Sequence, residues 1–396
     1  MKKEHLNGLE FLRYGLGLYI LFYHTLNHPD VNYIVSRFVG MGFIATSTFF
    51  VISGFILSYV YLSGNGTENV VVKGKKSDFW KKRFANLYPI HIFSLILFIV
   101  IFIVLRHLNI MPRDDKLFFT WVAFDVNNYS ENIGHFMSNF EIGLAFLMNI
   151  FMLQSWNPYY LTFNSPAWSI STLFFMYILF PYIAPRLSEI KKPFRALFLT
   201  NIIYISIPLI FILLGLFDKP YTGLLNRNPL VRLPEFIAGI VLCNVYFKLK
   251  NNGFVMKKFM VISSLIFIFV SFYLADRFLE HADLITKSGN VPYYLLHTGL
   301  LLIPECLLIF LFTGIKIKNE RFIFWLKRFG GASLPMFALH IPLFFIFTRI
   351  EYALLGKLYL SVYFIFPVLV TIICIYFQEH IVVSTRKIIL KFLIKS

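Results

Sequence analysis

Acidic residues are scarce in this chain: Asp and Glu together number 20 of 396 residues against 37 Lys and Arg, and charged residues of both signs reach only 14%. With 58% hydrophobic and 19% aromatic residues and a mean hydropathy of +0.70, so little charge excludes an ordinary soluble globular domain. Cysteine is nearly missing as well. Cys243, Cys306 and Cys374 all fall inside apolar runs without metal-ligand spacing, which excludes a disulfide scaffold and a zinc site and leaves packing as their role. Long polar stretches are also lacking. The longest, 63–83 and 106–139, are too short for an independent core. A cleaved leader is not expected, because residues 1–8 are short and polar and Arg13 interrupts the first apolar run.

What remains is a series of apolar runs, each long enough as a helix to cross a hydrocarbon core of about 30 Å. They fall at 9–26, 39–62, 84–105, 166–185, 196–217, 232–247, 259–275, 291–315, 332–350 and 359–377. The expected fold is all-α: a single polytopic transmembrane bundle over residues 1–396 with about ten spans. Residues 140–155 are the ambiguous segment, and the positive-inside rule settles it. If they do not cross and both termini are cytoplasmic, 25 of the 37 basic residues lie inside and 11 outside, with Arg13 in a span. If they cross, the asymmetry largely vanishes. The last residues, 378–396, then read as a basic amphipathic tail on the anionic inner leaflet. The net charge of +17 is explained without nucleic acid.

The first run, "LEFLRYGLGLYILFYHTL", holds the residues that most need a reason to be there. Arg13 and His24 are eleven positions apart, about 20° past three full turns, so they share one helix face about 16 Å apart along the axis. Glu10, three positions before Arg13, can pair with it. An arginine at the centre of a span costs about 2.5–3.5 kcal/mol even on insertion scales, which makes it a functional candidate. Snorkelling of Arg13 to the headgroups and an interfacial place for His24 are the structural alternatives.

These residues also carry a resemblance. "LEFLRYGLGLYILFYH" resembles the opening helix of the acyltransferase-3 family, integral membrane acyltransferases of bacterial surface sugars, with Glu10 where the family usually has aspartate. "STFFVISGFILSYVY" (47–61) is similar to its second helix, and "KKRFANLYPIHI" (81–92) to its R-x-x-R-I-Y-P segment, with Asn86 in place of the second arginine. "SPAWSISTLFFMYILFP" (165–181) resembles its W-S-L-S-x-E segment, with Leu173 at the glutamate position. "RLPEFIAGIVL" (232–242) and "GGASLPMFALHIPLFF" (330–345) resemble two later motifs, the last ending on His340.

The resemblance implies transfer of an acyl group, usually acetyl, from cytoplasmic acetyl-CoA, the donor substrate, to a hydroxyl of a cell-surface or lipid-linked glycan such as O-antigen. The setting it implies is the bacterial inner membrane, with no metal involved. It implies catalytic roles for His24, as the general base in its neutral form, and for Arg13 and Glu10. Arg13, Arg83, Lys82 and Tyr88 would meet the anionic donor; positive-inside retention explains the cytoplasmic cluster equally well. Trp168, Ser169, Arg232, Glu235, Glu305 and His340 are the acceptor-side candidates. Each has a structural alternative: interfacial anchoring for Trp168, mutual pairing for Arg232 and Glu235, protonation or a polar cavity for the mid-span Glu305. For His340, the alternative is local, since Pro342 frees a backbone carbonyl that needs a partner. His91 and His297 receive no role. The Asn-rich outer segment 125–140 has the composition of a sugar-binding loop. No esterase-like soluble domain follows the last span in these residues, so transfer is expected to finish within the membrane unit or with a separate extracytoplasmic partner. A glycan polymerase or flippase, or a catalytically silent relative, are the competing functions.

Overall fold

The computed structural model describes residues 6–26, 37–64, 69–108, 120–122, 137–217, 220–281, 290–356 and 361–395. A chain with no water to satisfy its backbone must pair its polar groups internally, and helix is the local solution. The helices are α1 (Asn7–Leu26), α2 (Gly42–Tyr61), α3 (Lys76–His107), α4 (Asn139–Ile150), α5 (Trp168–Ser188), α6 (Pro193–Leu213) and α7 (Tyr221–Arg227). They continue with α8 (Pro229–Asn251), α9 (Lys258–Glu280), α10 (Asn290–His297), α11 (Leu302–Thr313), α12 (Glu320–Leu355), α13 (Ser361–Tyr376) and α14 (Val383–Lys395). Strand is confined, among the described residues, to two small antiparallel pairs, one joining Leu62–Ser63 to Val71–Val72 and the other Thr120–Val122 to Tyr160–Thr162.

Nine helical stretches among the described residues are long and apolar enough to cross a membrane. The 20-residue α1, which carries Glu10 and Arg13 and is not one of the nine, is also about 30 Å long. The protein is therefore an all-α, multi-pass membrane bundle.

Helix α4 does not cross. At 12 residues it spans only about 18 Å. A capping box between Ser138 and Glu141 starts it, it buries Ala145 and Asn149, and it exposes Phe140, Leu144, Phe146 and Leu147. The Asn149 carbonyl at its end is held by His91 Nε2 at 2.6 Å. That is the placement the charge asymmetry requires.

Packing puts both ends of the chain at one end of the bundle. Gly8 abuts Phe312 and Ile315, Glu10 lies against Gly330, and Gln378 approaches Gly331. The closest crossing joins α2 to α8, where a Cβ on Gly54 would lie 2.2 Å from the Phe236 carbonyl oxygen and one on Gly239 would lie 1.9 Å from that of Val51. Small residues of this kind are what let membrane helices approach.

Two features differ from the sequence reading. The run at 291–315 is not one helix: it breaks between α10 and α11, with Gly299 at φ +102°. The carbonyls freed by the break are claimed from neighbouring helices, that of Gly299 by Asn201 Nδ2 at 2.7 Å and that of His297 by Arg232. The basic tail, expected on the leaflet, continues α13 through a π-helical turn at Phe377–Val382 and packs α14 along α3. Lys81 donates to the Leu393 carbonyl, and Arg328 grips Glu379 of the π turn through two bonds at 2.6 and 2.7 Å. Only the outer side of α14, with Lys387, Ile388, Lys391 and Phe392 exposed, is free to face lipid.

Candidate active site

Arg13 binds Glu10 at 3.0 Å, one turn back on α1, and both side chains keep about a fifth of their surface open (23% and 20%). Glu10 fits there because position 330 is glycine; a Cβ at Gly330 would lie 2.0 Å from its carboxylate oxygen. Arg13 shares with Arg83 the electrostatic neighbourhood of Tyr177 on α5. Arg83 donates to the Tyr61 hydroxyl at 2.6 Å and lies over that ring at 4.9 Å.

Beside Arg83 opens a cavity of about 290 Å³ lined by Trp80, Lys81, Arg83, Phe84, Phe174, Tyr177, Ile178 and Leu393. Its walls are aromatic and apolar, and the two cations at its edge are engaged, Lys81 with the Leu393 carbonyl and Arg83 with the Tyr61 hydroxyl. Of the expected donor contacts, Arg83 lines this cavity and Lys82 and Tyr88 are not among its lining residues. The lysine in its wall is Lys81, one position and about 100° around the helix from Lys82. Tyr88 stacks on Phe84, one of the walls, at 4.6 Å.

His24 lies at the other end of α1. Its side chain is exposed, although the protein around it is dense at longer range. Tyr23 stands edge-on to it at 4.7 Å, seated over Gly42, where a Cβ would lie 2.3 Å from the ring. On the opposite helix, α12, the ring of His340 faces His24 with centroids 5.0 Å apart and planes tilted by 33°. His340 itself is fully buried, and its Nδ1 is bonded to the Met336 carbonyl at 2.8 Å. Helices α1 and α12 pack along much of their length, with Gly17 facing Ser333 and Met336, from which a Cβ there would lie 3.5 Å, and this packing brings the two imidazoles together.

Pro342 does free a carbonyl, that of Ala338, and its partner is Asn164 Nδ2 at 2.7 Å, from the turn preceding α5. The partner the sequence required is thus not His340. Asn164 escaped the sequence reading because it lies 174 positions away and in no motif.

The remaining acceptor-side candidates sit elsewhere. Trp168 packs edge-on against Phe50 at 6.0 Å, and Ser169 Oγ turns back onto the Pro166 carbonyl at 2.9 Å. Arg232 and Glu235 pair at 3.1 Å and are 2% and 1% exposed. Arg232 also reaches Ser47 at 2.9 Å, Tyr204 at 3.1 Å and the His297 carbonyl, while Tyr204 donates to Glu235 at 2.9 Å. Glu305, 2% exposed, lies in the first turn of α11, within electrostatic reach of this cluster. These groups are engaged in joining α2, α6 and α8 to the broken span. The guanidinium at the end of α10 complements the helix dipole there. Leu173, at the family's glutamate position, is 1% exposed in the main apolar core. Asn86 on α3 is half-buried, and residues 125–136 of the Asn-rich segment lie outside the described residues.

The described residues thus form an all-helical membrane bundle with an exposed histidine on α1 and an aromatic cavity beside Arg83 at one end. The acyltransferase domain model matches residues 6–379, nearly the whole chain. The chain belongs to the acyltransferase-3 family. It is similar to acyltransferase MdmB of Streptomyces mycarofaciens, with 26% identity over 144 residues, 36% of this chain and 28% of that protein. The chain thus spans less than a third of that relative's length in the match. No solved structure matches.

Proposed function

We propose that this membrane acyltransferase moves an acetyl group from cytoplasmic acetyl-CoA to a hydroxyl of a cell-surface or lipid-linked glycan, in the bacterial inner membrane. The nucleotide end of the donor occupies the cavity between α3, α5 and α14, its ring against Trp80 and Phe84 and its phosphates on Lys81 and Arg83. The pantetheine arm runs along α1 past Arg13 and delivers the thioester to His24. Neutral His24 takes the proton from the acceptor hydroxyl as the oxygen attacks the thioester carbon. The carbon–oxygen bond forms, the carbon–sulfur bond breaks, and the proton passes to the departing sulfur.

The observation that carries this reading is the exposed imidazole of His24 inside the bundle, on one helix with Arg13. The test is NMR of surface polysaccharide from cells lacking the gene, complemented with wild type or His24→Ala. O-acetyl signals are expected with wild type alone. Equal acetylation with His24→Ala removes the base, and unchanged glycan in the deletion removes the acceptor class.

A further inference from the structure

The buried imidazole of His340 has one free nitrogen and no task in the reaction just described. A carbonyl oxygen can only accept, so the 2.8 Å bond to Met336 fixes the proton of neutral His340 on Nδ1. Nε2 is then a bare lone pair. It is buried and has no hydrogen-bond partner among the described residues. Being closed off, it cannot touch an acceptor sugar, yet the ring of the exposed His24 faces it with centroids 5.0 Å apart. Two imidazoles joined by an N–H···N bond of about 3 Å have their centroids about 5 Å apart. His24 has no hydrogen bond of its own among the described residues, and the outer torsion of a histidine is broad, so its ring can turn into this bond as substrate enters.

We propose that His340 is a positioning residue: Nε2 accepts the N–H of His24, which selects one tautomer of His24 and directs its remaining lone pair into the open space where the acceptor hydroxyl arrives. The chain Met336 carbonyl, His340, His24 orients the base as a carboxylate does elsewhere, but with a neutral group suited to a membrane interior. The proton taken from the hydroxyl still passes through His24 to the leaving thiolate; His340 gains and loses none. The inference rests on the reading of His24 as the base.

The test compares His340→Gln, whose amide oxygen can accept, with His340→Phe, which cannot. Purified variants are assayed for acetyl transfer and, separately, for carbethoxylation of His24 by diethylpyrocarbonate, followed by mass spectrometry. His340→Phe is expected to lose about 100-fold in kcat with the donor KM unchanged within about twofold, while His340→Gln stays within about tenfold of wild type. Labelling of His24 should slow severalfold in the Phe variant and not in the Gln variant. Equal losses in the two variants, or full kcat in His340→Phe, overturn the proposal. If wild type transfers no acetyl group, the functional reading fails while the labelling still decides this one: unequal rates support it and equal rates refute it. Should phenylalanine not be accommodated, His340→Leu serves as the variant lacking an acceptor.

Discussion

Replacing Arg232 by alanine separates a structural role from an acceptor-binding one. The guanidinium is 2% exposed and meets Glu235, Ser47, Tyr204 and the His297 carbonyl. Its removal leaves the Glu235 carboxylate buried with only neutral hydroxyl partners, Tyr204 and Ser47, and takes away the cation that closes the end of α10. Breaking a buried pair from one side costs about 3–5 kcal/mol, because the charge left behind is buried without a counter-ion. Removing both charges, as in Arg232→Leu with Glu235→Leu, leaves the His297 carbonyl short of a donor, at about 1–3 kcal/mol. The double variant should therefore be more stable than Arg232→Ala, although it carries more changes. Cys243, Cys306 and Cys374 are buried and outside any disulfide, so a thiol-reactive dye reports unfolding of the purified protein directly. Arg232→Ala should unfold at the lowest temperature, with the double variant between it and wild type. If Arg232→Ala unfolds with wild type and only the acceptor KM rises, the pair serves substrate and the structural argument is wrong.

Three further outcomes are expected. Gly239→Ala drives a Cβ to 1.9 Å from the Val51 carbonyl oxygen and 2.9 Å from the Phe55 nitrogen, backbone atoms that cannot rotate aside. It should cost about 1–3 kcal/mol or more. Gly143→Ala meets nothing within 4 Å on α4 and should be neutral or gain about 0.5–1 kcal/mol. Matching shifts of the two in the thiol assay would contradict the packing seen between α2 and α8. Asn164→Ala removes the donor to the Ala338 carbonyl and should destabilise by about 1–3 kcal/mol in the same assay, whereas no change would mean that carbonyl has another partner. Arg83→Ala should weaken acetyl-CoA binding about 10–100-fold, the equivalent of one charge-assisted contact of about 1.5–3 kcal/mol. Isothermal titration checks it, and unchanged affinity would place the donor elsewhere than the cavity beside Tyr61.

The sequence by itself determined the class and most of the helices, because these follow from properties each segment carries alone. Apolar length demands a helix, and an eleven-residue interval places Arg13 and His24 on one face of α1. It also determined that Pro342 must leave a carbonyl in need of a partner. Which group answers was decided only by tertiary structure, since Asn164 and Ala338 meet across 174 positions. The same holds for the break in the 291–315 run, where hydropathy is uninterrupted and only the cross-helix donors Asn201 and Arg232 make the opened carbonyls tolerable. Arg232, Glu235 and Glu305 stand out in the sequence because a charge in a span demands a reason; the tertiary structure adds that Arg232 also closes the end of α10 through the His297 carbonyl. Lys81 rather than Lys82 in the cavity wall follows from helix rotation, which a run of like residues conceals. His24 beside His340 depends on how α1 and α12 pack, through Gly17 against Ser333 and Met336, and a contact between two helices is a property of the pair that neither segment encodes alone.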